Sequence, residues 1–247
     1  MQIEAPDERL SLIPTLWSLV CRAHQGPAET AKLARAQLLD RYGGAAQRYL
    51  RHVLRDHDGA DEVFQEFAMQ VLHGNLRGAD PQRGRFRNFV KGTLFHLMAD
   101  YRRRRRQWPG PLPPSGAEPA AQPVELESDR RFIESWRDEL LARAWTKLQA
   151  LEAGTGQLYY TVLRYRADHA EQRSPQMAEE LAAQLGKLFR PAALRQMLHR
   201  AREKFAEHLL EEVAHSLEEP DMEHVRQELA ELALLDYCRP ALERQTS

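Results

Sequence analysis

Apolar residues recur at helical spacing along most of the chain. Val63, Phe64, Phe67 and Val71 form one stripe, and Val90, Leu94, Leu97 and Tyr101 form another. Phe132, Ile133, Trp136, Leu140, Leu141, Ala144, Trp145 and Leu148 form a third. Val, Ile and Thr are sparse, and no alternation of apolar and polar residues flanked by turn signals predicts a hairpin. The pattern predicts helices from about Ala28 to Leu54, with a break suggested at Gly43-Gly44, and from Asp58-Gly59 to His73-Gly74. Further helices are predicted from Arg85 to Arg106, Arg130 to Ala150 and Gln157 to Arg166. Ser174 and Pro175 then read as N-cap and first turn of a helix ending at Gly186. A long helix follows from Pro191, and a last short one spans Met222 to Tyr237. No internal repeat of fixed period is visible.

Proline punctuates this pattern once. Residues 107–127 read QWPGPLPPSGAEPAAQPVELE and hold six of the fourteen prolines. Proline removes a backbone donor and resists helix, so the stretch is expected to be extended or flexible. With 247 residues, one or two domains are expected. The predicted fold is all-α: two small helical domains joined by a Pro-rich flexible linker, the second with a helix-turn-helix. The expected segments are residues 1–106, a linker at 107–128, a second domain at 129–217 and an acidic tail at 218–247.

Net charge is −1, which predicts no partner, but the distribution does. Between Arg77 and Arg106 there are ten bases and two acids, a net of +8. From Glu207 to Ser247 there are eleven acids and three bases, a net of −8. A basic stretch on a helix is the usual electrostatic footprint of nucleic-acid binding, although a solvated basic helix end would look the same. Phe86 and Phe89 lie among Arg83, Arg85, Arg87, Asn88 and Lys91. Rings interleaved with cations suit single-stranded DNA, where bases stack and phosphates pair, although each ring more readily reads as core. One helix earlier, Glu62, Gln65, Glu66 and Met69 share a face that could dock on a partner helix or simply face solvent.

The second half carries a helix-turn-helix pattern. Met177, Ala178, Leu181, Ala182 and Leu185 give one inner face, Gly186 fits the turn, and Leu194, Met197, Leu198, Ala201, Phe205 and Leu209 give another. Arg195, His199 and Arg202 share the opposite side of the second helix, flanked by Gln196 and Arg200. Arg and Gln near the start of such a helix can read base edges. An ordinary antiparallel helix pair fits the same pattern.

At this point the chain resembles a known family, the extracytoplasmic-function class of bacterial RNA polymerase sigma factors. FRNFVKGTLFHLMADYRRR, Phe86 to Arg104, aligns without gaps to that family's F-R-x-W-L-x-x-I-A-R-N-x-x-x-D-x-x-R pattern. Phe86, Arg87, Asp100 and Arg103 coincide, and Phe89 stands where Trp is usual. ADEVFQEF, Ala60 to Phe67, resembles the core-binding helix, and LRQMLHRAREKF, Leu194 to Phe205, keeps the family's LHRAR. Departures include His96 for Asn, Phe95 and Met197 for Arg, and Ala68 for Phe. The resemblance implies core polymerase binding through Glu62, Gln65, Glu66 and Met69. It implies minus-ten recognition and DNA opening through Arg83, Arg85, Phe86, Arg87, Asn88, Phe89, Lys91, His96, Arg102 and Arg103. It implies minus-thirty-five recognition through Arg195, Gln196, His199, Arg200 and Arg202. The implied partners are bacterial core RNA polymerase, promoter DNA and an anti-sigma or other regulatory protein, in the cytoplasm.

Other classes fare worse. No glycine-rich phosphate loop, H-E-x-x-H or G-x-S-x-G motif is present, so no enzyme, catalytic residue, cofactor or metal site is expected. No apolar run is long enough for a membrane span, and the first residues lack the apolar core of a secretory signal. Cys21 and Cys238 read as buried or idle thiols. A stand-alone helix-turn-helix regulator is the alternative, with Val225, Leu229, Leu232 and Leu235 as a dimer seam. The acidic tail could fold onto the basic recognition face and suppress DNA binding, or it could be solvated or packed on the second domain.

Overall fold

A computed structural model describes residues 16–75, 85–107, 125–217 and 221–245. All regular structure among them is helical: α1 (Leu16–Gln25), α2 (Ala28–Leu54), α3 (His57–Leu72), α4 (Phe86–Gln107), α5 (Glu125–Thr155), α6 (Tyr159–Asp168), α7 (Ser174–Leu185), α8 (Pro191–Ala214), α9 (Met222–Glu231) and α10 (Leu235–Gln245). Arg83 and residues 108–124, the heart of the expected linker, lie outside the described residues. The ends of that linker are helical, since α4 reaches Gln107 and α5 begins at Glu125.

Two compact units divide the chain differently from the expected segments. The first comprises Met1–Glu139 with Ala214–Leu232, and the second Leu140–Val213 with Ala233–Ser247. Helix α5 contributes to both, and so does the expected acidic tail.

In the first unit, α2 is the central helix, with α1, α3 and α4 packed on it. Its buried stripe runs Ala31, Ala34, Leu38, Tyr42, Ala45, Ala46, Tyr49 and Leu50, so small residues alternate with rings that reach neighbours. The Tyr42 ring stacks on Trp136 at 4.8 Å, and Tyr49 meets Phe132 edge-on at 5.3 Å. The early part of α5 is thereby fixed to α2. Gly43 and Gly44 do not break the helix. A Cβ on Gly44 would lie 2.5 Å from a Glu139 carboxylate oxygen, and one on Gly43 3.4 Å from the Phe64 ring. The glycines permit close approach, and the packing along 27 residues outweighs their low helix propensity of about 1 kcal/mol each. Arg35 then joins three helices, donating to the carbonyls of Ala23 (2.9 Å) and Leu72 (3.3 Å).

In the second unit, Leu140, Ala144 and Leu148 of α5 are buried with Val162, Met177, Leu181, Leu194, Leu198, Ala201, Leu209 and Cys238. Trp145 packs on Phe205 at 4.7 Å and meets Tyr160 edge-on, with the Arg164 guanidinium 5.6 Å from its ring centre. Helix α7 starts at Ser174 itself, so Ser174 is not the cap. Arg173 holds that position, and its N–H donates to Gln176 Oε1 at 3.2 Å. Gly186 ends α7 with φ +63°, a left-handed conformation that glycine adopts without strain. The expected last helix is two: Asp221 caps α9 by accepting from the His224 N–H (2.7 Å), and Ala233, at φ +54°, separates α9 from α10. Cys238 is buried, which pushes its thiol up to about 12, whereas Cys21 is exposed.

Candidate nucleic-acid interface

Three surfaces carry the residues singled out by sequence. On α3 the stripe Val63, Phe67 and Val71 is buried, which turns Glu62, Gln65 and Met69 outward and leaves Glu66 half-buried. Met69 is 52% exposed, and Leu72, three residues on, is also exposed. Both carboxylates are held from α4: Arg104 donates to Glu66 at 2.9 Å and to Glu62 at 3.4 Å. The result is a polar face with an apolar methionine, positioned by the α3 core.

Helix α4 departs most from expectation. Phe86 is a core residue whose ring lies 5.4 Å from Tyr42, and Phe89 packs half-buried against it. The Arg87 side chain is only 7% exposed. The spacing contains the reason, because Arg87 precedes Val90 by three and Phe86 precedes it by four. Both therefore continue the buried stripe Val90, Leu94, Leu97 and Tyr101. Lys91 pairs with Asp129 at 2.9 Å and Arg103 with Asp100 at 2.7 Å. Arg105 pairs with Asp56, which also accepts from the Tyr101 hydroxyl at 3.1 Å. Asn88 and His96 are exposed, as is Phe95. Among the described residues, Arg102 and Arg106 have no carboxylate within ion-pair distance.

The partners of Arg85 and Arg87 come from α9, more than 140 positions away. Arg85 Nη1 lies 2.6 Å from Glu228 Oε2, and Arg87 Nε lies 3.0 Å from Glu228 Oε1. Both guanidiniums also pair with Glu231. Burial raises the Glu228 carboxyl above its ordinary range, and the Arg87 and Arg85 charges offset only part of that. Burial acts the same way on Glu231, but there the bonds and charges of Arg85 and Arg87 prevail and hold it low. Sequence reasoning did not assign Glu228 or Glu231. The available signal was Glu228 itself, a charge on the stripe Val225, Leu229 and Leu232, all three buried. The expected tail is therefore divided: α9 sits on α4 in the first unit, and α10 belongs to the second unit, where Arg244 pairs with Glu203.

The third surface is the outer side of α8. Leu194, Leu198, Ala201 and Phe205 are buried, and Arg195, Gln196, His199, Arg200 and Arg202 are all exposed. His199 lies 3.5 Å from Glu203. Among the described residues, Arg195, Arg200 and Arg202 have no carboxylate within ion-pair distance. Exposed Lys187 and Arg190 precede the helix, and its first turn has no acid. Free N–H groups at a helix start favour anions, so cations and helix end act together here.

Among the described residues, no helix is long and apolar enough to cross a membrane, and no three His, Cys, Asp or Glu side chains cluster as metal ligands. No family model matches the chain, and no curated protein or solved structure shows significant similarity to it.

Proposed function

We propose that this chain is a sigma factor of the extracytoplasmic-function class, which binds core RNA polymerase and directs promoter recognition, DNA opening and transcription initiation in the bacterial cytoplasm. The observation that carries this reading is the α8 face. Three arginines without a carboxylate partner among the described residues, with Gln196 and His199, project from the second helix of an α7–turn–α8 pair whose turn begins at left-handed Gly186. This suits a helix-turn-helix whose second helix enters the major groove at the minus-thirty-five element. The three sequence motifs, in family order, support the rest. Glu62, Gln65, Glu66 and Met69 dock on the polymerase, and the α4 region handles the minus-ten strand. No side chain is asked to break a bond.

Association with purified core polymerase tests the docking face. Glu62→Ala, Gln65→Ala and Glu66→Ala together are expected to weaken association at least about tenfold, the scale of a few interface anchors. Unchanged affinity in the folded triple variant would remove the face from the proposal.

One observation favours a stand-alone helix-turn-helix regulator instead: Arg104 already holds Glu62 and Glu66, while the α8 arginines are free of such pairing among the described residues. Such a regulator reads paired half-sites as a dimer. Of the seam expected for it, Val225, Leu229 and Leu232 are buried within the chain's own first unit and Leu235 is half-buried in the second.

A further inference from the structure

We infer that α9 is an intramolecular mask, whose Glu228 and Glu231 occupy the guanidiniums of Arg85 and Arg87 in place of the phosphates of single-stranded DNA. The mask rests on the proposed minus-ten role of the α4 region and adds its regulation.

The geometry is that of substitution. A guanidinium binds carboxylate and phosphate with the same planar donors. Two carboxylates here meet two guanidiniums, so the cluster is neutral and offers DNA nothing while closed. It is nevertheless accessible from one side. Glu231 is 41% exposed and Arg85 23%, so a phosphate can displace Glu231 first and then reach past it. Glu228 and Arg87 lie deeper, at 1% and 7%.

The cluster is also a poor device for stability alone. Burying charged pairs sacrifices hydration that their attraction barely recovers, and apolar replacements often do better. The helix that brings the glutamates is short, ten residues, and is followed two positions on by left-handed Ala233. It is held by few apolar side chains, chiefly Val225, Leu229 and Leu232. A short helix with this grip is suited to release as a unit.

The test uses the full chain and a fluorescent, random-sequence single-stranded DNA of about 12 nucleotides, titrated at several salt concentrations. Glu228→Gln with Glu231→Gln keeps side-chain shape and removes both charges. Binding is expected to tighten at least about fivefold at low salt, and the slope of log affinity against log salt to steepen by about 1.4, the value for two added phosphate contacts. Adding Arg85→Gln and Arg87→Gln should abolish both gains, which a merely structural role of α9 would not require. If the folded Gln variant gains nothing while Arg102→Gln with Arg106→Gln weakens binding, the DNA reading stands and the mask falls. If neither set of variants alters binding, both fall. Hydrogen exchange on the wild-type chain keeps the idea falsifiable should the Gln variant not fold. Amides of residues 222–231 are expected to lose protection when DNA binds, and unchanged protection in the DNA-bound chain overturns the mask.

Discussion

Gly59 and Gly92 both sit inside helices, yet alanine should act oppositely at the two. At Gly59 a Cβ would run into the Tyr101 hydroxyl and lie 2.8 Å from the Asp56 carboxylate, breaking the bond those groups share. Around Gly92 there is nothing within 4 Å. Gly92→Ala should therefore gain the helix-propensity difference, about 0.5–1 kcal/mol. Gly59→Ala should lose about 1–3 kcal/mol through overpacking. Thermal melts of the two variants check the signs, and a gain at Gly59 would refute the close approach. Residue-level chemistry was partly legible from the chain. The α8 stripe alone placed Arg195, Gln196, His199, Arg200 and Arg202 outward. On α4 the same arithmetic put Arg87 and Phe86 on the buried side, where charge and aromatic content drew them to a DNA role. An arginine on an apolar stripe requires a buried acid, and nothing local identified Glu228 as that acid.

At the scale of elements, periodicity located the helices from α2 onward, their ends less well, and did not predict α1 (Leu16–Gln25). Sustained stripes such as that of α2 are dictated by burial along the whole helix, so they survive local exceptions like Gly43-Gly44. Ends and breaks depend on a residue or two. Ala233 in a left-handed conformation divides the tail into α9 and α10, and alanine gives no warning of it. The join between α5 and α8 in the second unit offers a pH-dependent test. Glu211 of α8 lies 3.6 Å from His208 and 2.9 Å from Lys147 of α5. The His208 imidazole, with Lys147, outweighs burial and lowers its carboxyl from 4.5 to about 2. A depressed acid stabilises the fold above its unfolded value and loses that contribution as pH falls. Glu211 should thus contribute fully above about pH 5 and progressively less toward pH 2. It is 47% exposed, so screening leaves about 1 kcal/mol. The melting temperature of Glu211→Gln should drop less than wild type across that window, and parallel curves would refute the assignment.

For the whole molecule, the opposite charge of two distant regions was visible in the sequence, +8 over residues 77–106 and −8 over 207–247. What the sequence did not show is where the charges meet, since the chain leaves the first unit at Glu139 and rejoins it at Ala214. Opposite charge alone names no contact between particular side chains. The buried stripe of α9 and its two glutamates belong with α4, while α10 belongs to the second unit. In the proposed role three surfaces work together, with a docking face on α3, a guarded cationic site on α4 and an open cationic face on α8. Each surface has a mundane counterpart in isolation, and only their combined use in initiation distinguishes the proposal. The most direct measurement is run-off transcription by bacterial core polymerase with this chain, on promoters selected from a genomic library by the reconstituted complex. A sigma factor predicts initiation from a defined set of promoters that core alone does not use, lost in the Glu62, Gln65 and Glu66 triple alanine variant. Tight duplex binding by the chain alone, with no association with core and no selective transcript, would contradict it.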